Sequence, residues 1–199
     1  MWIYEKRLQY PVNITKTDAR IAKIIASQYG GPDGEIGASM RYLSQRFTAP
    51  NRVCMAVLTD VATEELGHLE MVSTIVHQLT ANLTVEEIEN QGFADYYVDH
   101  AVGIWPQSAG GIPFNSCEFQ SKGDPITDLT EDMAAEQKAR TTYDNILRLV
   151  DNEEVKKVIR FLRAREIVHY QRFAEGLEYL KTKLDPDNVY ICNPSFDAH

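Results

Sequence analysis

The segment that decides the fold is residues 58–72, LTDVATEELGHLEMV, in which apolar residues recur every three or four positions. This spacing is typical of a helix that packs on one side. Two residues on the apolar stripe are nevertheless polar, Glu65 and His68. Residues 161–173, FLRAREIVHYQRF, repeat the arrangement with Glu166 and His169. The sequence therefore predicts two long helices, each with a Glu-x-x-His motif on the face that should be buried.

Working outward, helical periodicity covers four stretches, at about Thr17–Phe47, Pro50–Thr80, Pro125–Val150 and Asn152–Leu184. The first should break or kink at residues 30–34 (GGPDG), because proline clashes with the preceding turn. Pro50 suits the first turn of the second helix. Thr84 and Glu87 predict a capping box for a short extra helix at Thr84–Gln91.

The connections between these helices predict the topology. The first and second helices are joined by a few residues, as are the third and fourth, so each pair should be an antiparallel hairpin. A much longer Gly/Pro-rich segment separates the pairs. We therefore expect one all-α domain over residues 1–199, a ferritin-like four-helix bundle with one long crossover between helices 2 and 3. A short extended arm at 1–14 would precede the bundle, and a polar tail at 185–199 would follow it.

Polar residues interrupt the stripes at a fixed interval. Glu35 stands 30 residues before Glu65, and Glu136 stands 30 residues before Glu166, so one pattern occurs twice, 101 residues apart. Residues at i and i+3 share a helix face about 5–6 Å apart, so each motif can offer a carboxylate and an imidazole to one ion. A glutamate from the neighbouring helix would complete each half-site. Asp60, Glu64 and Glu70 lie off the stripe, and we expect them on a solvated face.

The chemistry of these residue types indicates a dinuclear metal site. Burying four carboxylates without cations would be very costly, and two divalent ions would balance their charge. Carboxylate and imidazole ligands suit manganese or iron, and no thiolate is present in the motif to select zinc or copper. The ligand types alone do not separate manganese from iron. A zinc-protease site is excluded, because the second histidine of HExxH is absent.

Composition excludes several other classes of function. The 199 residues carry 20 basic and 29 acidic side chains, a formal charge of −9, and such a chain is a poor ligand for nucleic acid. No apolar run is long enough to span a membrane. The amino terminus has charged residues where a signal peptide has its apolar region, so we expect synthesis without one. Cys54, Cys117 and Cys192 form no CxxC pair, which argues against a zinc ribbon or a disulfide scaffold.

These motifs resemble those of the manganese catalase family, and nearly the whole chain resembles its short spore-coat branch. The segments that carry the resemblance are MWIYEKRLQYPV (1–12), GGPDGEIGASMRYLSQRF (30–47), LTDVATEELGHLEMV (58–72), GIPF (111–114), KGDPITDLTEDMAAEQKAR (122–140) and FLRAREIVHYQRF (161–173).

The resemblance implies hydrogen peroxide disproportionation at two manganese ions per chain, in a protein of the spore coat. It implies the ligands Glu35, Glu65, His68, Glu136 and His169, with Glu65 bridging the ions. Glu166 then matches an unliganded glutamate beside the solvent position, a candidate proton carrier. Tyr42 matches a tyrosine that lies just outside the ligands in the family. About 10.5 Å of axial rise separates it from Glu35, so it is too far along the helix to be a ligand itself. An aromatic residue on a core stripe is the alternative for Tyr42.

Departures from the family refine these expectations. Some catalases of the family have arginine directly before the third glutamate, where this chain has Ala135. Some members hold calcium before the second helix's ligands, where Asp60 remains but Ala56 replaces an acidic residue, so calcium is not expected. The resemblance also implies a homo-oligomer, a hexamer, and contacts with other spore-coat proteins. Trp2, Ile3 and Tyr4 have no obvious place in a four-helix core, and we expect them to pack on a neighbouring subunit. A strand packed on the protein's own bundle is the alternative.

Two alternatives to the enzyme stay open from sequence. The first is a mainly structural spore-coat protein with little catalase activity. The second is a di-iron protein of the ferritin or rubrerythrin kind, although rubrerythrins usually append a cysteine-rich iron site that this chain lacks.

Overall fold

The computed structural model describes residues 3–5, 7–96 and 104–184. Its α-helices are α1 (Ala19–Gly30), α2 (Glu35–Gln45), α3 (Arg52–Thr80), α4 (Val85–Asn90), α5 (Pro125–Leu149) and α6 (Glu153–Lys181). Within the described ranges the only β pairing is an isolated bridge between Gln107 and Pro113. The predicted all-α class is confirmed. The predicted tail at 185–199, with Cys192, and Trp2 of the arm lie outside the described residues.

Side-chain caps fix where the long helices begin. The Asn51 side chain accepts hydrogen bonds from the backbone N–H groups of Val53 and Cys54, so α3 begins at Arg52. The prediction that Pro50 occupies the first turn was therefore wrong, because the asparagine cap lies after the proline. Thr84 and Glu87 form the predicted capping box at the start of α4.

The predicted break in the first helix is confirmed, and it produces two separate helices. A Cβ atom on Gly30 would lie 2.2 Å from the backbone nitrogen of Gln107, so only glycine lets the crossover segment pass this close. Gly34 is the cap of α2, which makes Glu35 the first residue of that helix. A carboxylate is favoured there, because the first backbone N–H groups of a helix carry partial positive charge.

The helices pack as a bundle in which α1 and α2 together take the place of one long helix. Both lie against α3, α5 lies against α6, and α3 contacts α6. One apolar cluster combines α1 with Met71–Leu79 of α3, the end of α5 and the start of α6. The other combines Tyr42, the start of α3 and the end of α6. None of the helices in the described part of the chain is long and apolar enough to cross a membrane.

Candidate metal centre

A buried polar layer lies between these two apolar clusters. On α3 it falls between Ala62 and Met71, and on α6 between Leu162 and Phe173. Its members are the six residues that the repeat singled out, none more than 3% exposed: Glu35, Glu65, His68, Glu136, Glu166 and His169. The structure therefore brings all six together, from four helices, in the middle of the bundle.

Glu65 lies at the centre of this cluster. One of its carboxylate oxygens is 2.8 Å from Nδ1 of His68, and the other is 2.7 Å from Nδ1 of His169. The two imidazole rings are stacked, with centroids 5.3 Å apart. A single carboxylate thus reaches one imidazole of each Glu-x-x-His motif.

Each imidazole also faces a glutamate from the helix beside it. The carboxylate of Glu35 is 3.8 Å from Nδ1 of His68, and that of Glu136 is 3.4 Å from Nδ1 of His169. Glu166 is further from the rings, with its closest approach 4.0 Å from Nδ1 of His68. One candidate ligand atom from each of Glu65, His68, Glu166 and His169 lies within 4.8 Å of the others.

Two buried tyrosines hold the glutamates in a reciprocal way. Tyr42 of α2 donates its hydroxyl hydrogen bond to Glu136 of α5, and Tyr143 of α5 donates to Glu35 of α2. Tyr42 was predicted as a site residue from sequence, whereas Tyr143 was not. The signal for Tyr143 was available, since it follows Glu136 by seven residues as Tyr42 follows Glu35.

Glu64 contradicts the expectation of a solvated face. Its side chain is 14% exposed, and its two oxygens lie 3.2 Å from Nε2 of His169 and 3.7 Å from Nε2 of His68. Arg165 of α6 pairs with the same carboxylate at 2.6 Å, and Gln9 of the arm donates to it at 2.8 Å. The expectation failed because Glu64 lies beside the stripe on its own helix, where α6 and the arm cover it.

The other two off-stripe acids also have partners. Asp60, with a side chain 65% exposed, pairs with Arg172 of α6. Glu70 accepts a hydrogen bond from Tyr4 of the arm. Asp60 fits the predicted solvated face, and neither residue contacts the buried cluster.

The electrostatics of the cluster show that it is short of positive charge. Burial, together with the nearby charge of Glu65, raises the pKa of Glu35, Glu136 and Glu166. Burial opposes protonation of the imidazoles, yet Glu65 and its neighbours raise the pKa of His68 to about 9 and of His169 to about 12. Burial alone would raise the pKa of Glu65, but the two nearby imidazoles hold this pKa well below its usual range. Without cations the cluster therefore retains protons on groups that are normally free of them.

The residues fit a metal centre. Several buried polar atoms of the cluster lie close to one another without forming a hydrogen bond of normal geometry within the described residues: Oε1 of Glu65, Oε2 of Glu136, Oε1 of Glu166, Nε2 of His68 and both ring nitrogens of His169. Such orphaned atoms are costly in a folded protein unless something else binds them. Divalent cations would replace the retained protons and bind the carboxylate oxygens and imidazole nitrogens.

Comparison with known proteins agrees with this chemistry. The model of the family "Manganese containing catalase" matches residues 1–191. The chain belongs to the manganese containing catalase family. It is 46% identical to Protein CotJC of Bacillus subtilis over 96% of this chain and 100% of that protein.

Solved structures extend the comparison. The chain matches the crystal structure of wild-type KatB, a manganese catalase from Anabaena, with a TM-score of 0.82 and 31% identity, covering 94% of this chain and 84% of that one. A dodecameric thioferritin from Bacteroides fragilis, a bacterioferritin-related protein, matches with a TM-score of 0.55 and 14% identity, over 84% and 90% of the two chains. That second likeness concerns the fold alone, and it confirms the predicted ferritin-like bundle.

Proposed function

We propose that this protein disproportionates hydrogen peroxide into dioxygen and water at a pair of manganese ions. The observation that carries the proposal is the position of Glu65, whose two oxygens lie within 2.8 Å of one imidazole from each repeat. A shared carboxylate between two half-sites is the arrangement of dinuclear carboxylate bundles. Membership of the manganese containing catalase family supports the choice of metal and reaction.

The contacts support the ligand set that the family resemblance implies. Glu35 and His68 would bind one ion, Glu136 and His169 would bind the other, and Glu65 would bridge them. When bound, the manganese pair supplies two-electron exchange with peroxide, one electron from each ion. Tyr42 and Tyr143 orient the terminal carboxylates by hydrogen bonding. The negative charge of Glu64 attracts both imidazoles from the Nε2 side, at 3.2 Å from His169 and 3.7 Å from His68.

Glu166 is the proposed proton carrier. It is the member of the cluster furthest from the imidazoles, and its pKa is raised well above the usual range by burial and by the neighbouring carboxylates. A carboxyl group in this position can hold a proton taken from peroxide and return it when a second peroxide is reduced to water. General acid–base help of this kind is typically worth 10²–10⁴-fold in rate.

We also propose that the protein acts in the spore coat as a homo-oligomer, a hexamer, in contact with other coat proteins. The likeness to the short spore-coat branch and the 46% identity to Protein CotJC support the location. Exposed apolar residues in the arm, Ile3 at 77% and Tyr4 at 49% exposed, support an intersubunit contact. A monomeric mass in light scattering at micromolar concentration would contradict the oligomer.

The deciding experiment is metal analysis and oxygen evolution on protein purified from its native source. We expect two manganese ions per chain and dioxygen release on addition of hydrogen peroxide. Two bound manganese ions without dioxygen release would favour the structural coat protein. This is the second candidate because the chain is more similar to Protein CotJC (46% identity) than to KatB (31% identity). Two iron ions per chain would favour the di-iron alternative.

A further inference from the structure

A buried arginine with two unsatisfied nitrogen atoms lies beside the candidate metal centre. Arg41 of α2 is 1% exposed, and its Nε and Nη1 atoms have no hydrogen-bond partner among the described residues. A guanidinium stays charged at any ordinary pH, and a buried charge without hydrogen bonds is costly. Something that is not part of the described chain should therefore accept its hydrogen bonds.

Arg41 lines a small cavity between α2 and α5. The inner wall of the cavity is made by Glu35, Glu136 and Glu166 of the polar cluster, together with Tyr42. The cavity has room for about one water-sized molecule, so it can admit only very small ligands.

The remaining part of the cavity reaches partly exposed residues. It is lined by Ala38, Ala135 and Ala139, and by Asp33, which forms an ion pair with Lys138 at 3.0 Å. Both partners of this pair are partly exposed. The alanines keep the cavity open, because a longer side chain at these positions would fill the space between the two helices.

The nearest competing explanation is that Arg41 only balances Asp132. That residue is fully buried on α5, and the charge of Arg41 partly offsets the rise in the pKa of Asp132 that burial causes. The two side chains are not in hydrogen-bond contact, however, since Oδ1 of Asp132 accepts from Gln45 and Oδ2 has no partner. The guanidinium therefore has donors left for a ligand in the cavity.

We propose that Arg41 binds one oxygen atom of hydrogen peroxide in this cavity beside the metal centre, and that small anions compete for the same position. The inference rests on the proposed function, because it deepens the description of the same site. Its guanidinium would donate hydrogen bonds to the bound peroxide oxygen. Hydrogen bonds from charged donors are the strong ones, and the buried position strengthens them further.

The test measures anion binding directly, with fluoride as the probe because it is small, monovalent and unreactive. Fluoride affinity of the manganese-loaded protein is compared by calorimetry for wild type, Arg41→Met and Arg41→Lys. We expect the methionine variant to bind fluoride about 10- to 100-fold more weakly while it keeps its manganese. The lysine variant should be intermediate, since it keeps the charge but loses the planar set of donors. Arg46→Met, five residues further along the chain at the end of α2, is the matched control and should bind fluoride normally.

The results separate the possible roles of Arg41. Wild-type fluoride affinity in Arg41→Met would overturn the proposal and leave Arg41 as the counter-charge of Asp132. Loss of manganese in that variant would also overturn it, because Arg41 would then support the metal centre itself. If Arg41→Met does not fold, Arg41→Lys decides, and wild-type affinity in that variant overturns the proposal.

Turnover provides a second readout. In Arg41→Met the KM for peroxide should rise more than kcat falls, because the lost contact is made to bound substrate. Fluoride binding does not require turnover. If fluoride binding depends on Arg41 but the wild-type protein releases no dioxygen, the anion site is therefore upheld and the catalase proposal is refuted.

Discussion

The two halves of the bundle carry the same residues at the same spacing but do not surround them equally. In the first half Glu65 contacts the imidazoles of both repeats, at 2.8 and 2.7 Å. Its counterpart in the second half, Glu166, comes no closer than 4.0 Å to an imidazole. The pKa values of the two carboxyl groups accordingly move in opposite directions, lowered for Glu65 and raised for Glu166. A sequence repeat thus gives one central carboxylate and one peripheral carboxylate.

The residue before each motif shows a second difference between the halves. The first half has Glu64 where the second half has Arg165, and these two side chains form an ion pair with each other. Because the Nε2 atoms of both histidines face Glu64, a second acid at position 165 would have brought two carboxylates together. The arginine instead neutralises the carboxylate that serves both halves. The two halves therefore carry opposite charges at these equivalent positions.

The largest expected effect comes from removing the central carboxylate. We expect Glu65→Ala to lose both manganese ions, because Glu65 is the proposed ligand of both. His68→Ala should lose one ion, and the exposed Glu175→Ala on α6 should lose none. Elemental analysis of the purified variants gives the metal content per chain. Full metal occupancy in Glu65→Ala would show that no shared bridge exists.

Removing the peripheral carboxylate should have a different effect. Glu166→Gln keeps the shape of the side chain but cannot take up a proton. We expect near-normal manganese content and a fall of about 10²–10⁴-fold in dioxygen release. An oxygen electrode measures the rate. Unchanged activity would mean that Glu166 only fills space, and loss of one ion would make it a ligand, so that the two halves would be more alike than their contacts indicate.

A smaller effect should follow from changing the acid that faces both histidines. Glu64→Gln removes the negative charge beside both rings and replaces one of the two oxygens that face the Nε2 atoms by an NH2 group, which cannot accept a hydrogen bond. We expect manganese affinity to fall about 10- to 100-fold, the usual cost of losing a partner of a metal-binding histidine. Competition with a chelator measures this affinity, and Glu175→Gln is the control. Unchanged affinity would reduce Glu64 to a surface partner of Arg165.

The helices and the six polar residues were predictable from sequence, because both depend on spacing along one helix. Apolar residues three and four apart defined α3, α5 and α6, and the repeated 30-residue interval found the buried cluster. Helix ends were less predictable. Pro50 and Asn51 are both good start signals, and only the hydrogen bonds of Asn51 show which of them begins α3.

The partners of the cluster were harder to predict, since they depend on contacts between helices. Glu64 looked solvated because it lies beside the apolar stripe, and nothing in its own helix shows that Arg165 and the arm cover it. Arg41 looks like an ordinary charged residue in a helix, and its burial depends on α5. Tyr143 is different, because the 101-residue repeat that relates Glu35 to Glu136 also relates Tyr42 to Tyr143. Extending the repeat to aromatic residues would have found it.

Tyr42 and Tyr143 provide a further test of how the two halves differ. Each donates a hydrogen bond to a buried glutamate of the other half, Tyr42 to Glu136 and Tyr143 to Glu35. Such bonds to charged groups contribute about 1.5–3 kcal/mol to stability. Phenylalanine variants of both should therefore lower the free energy of unfolding, whereas Tyr170→Phe, a half-buried tyrosine on α6, should change it little.

The two variants should nevertheless differ, because their glutamates lie at different places in their helices. Glu35 is the first residue of α2, where the partial positive charge of the helix N-terminus stabilises a carboxylate by about 0.3–1 kcal/mol. Glu136 lies in the middle of α5 and has no such support. We expect Tyr42→Phe to cost more than Tyr143→Phe by about this amount, in urea unfolding of the manganese-loaded protein. If Tyr143→Phe lowers the free energy of unfolding more than Tyr42→Phe does, the helix N-terminus gives Glu35 no electrostatic advantage. The break at residues 30–34 would then serve only to let the crossover segment pass Gly30.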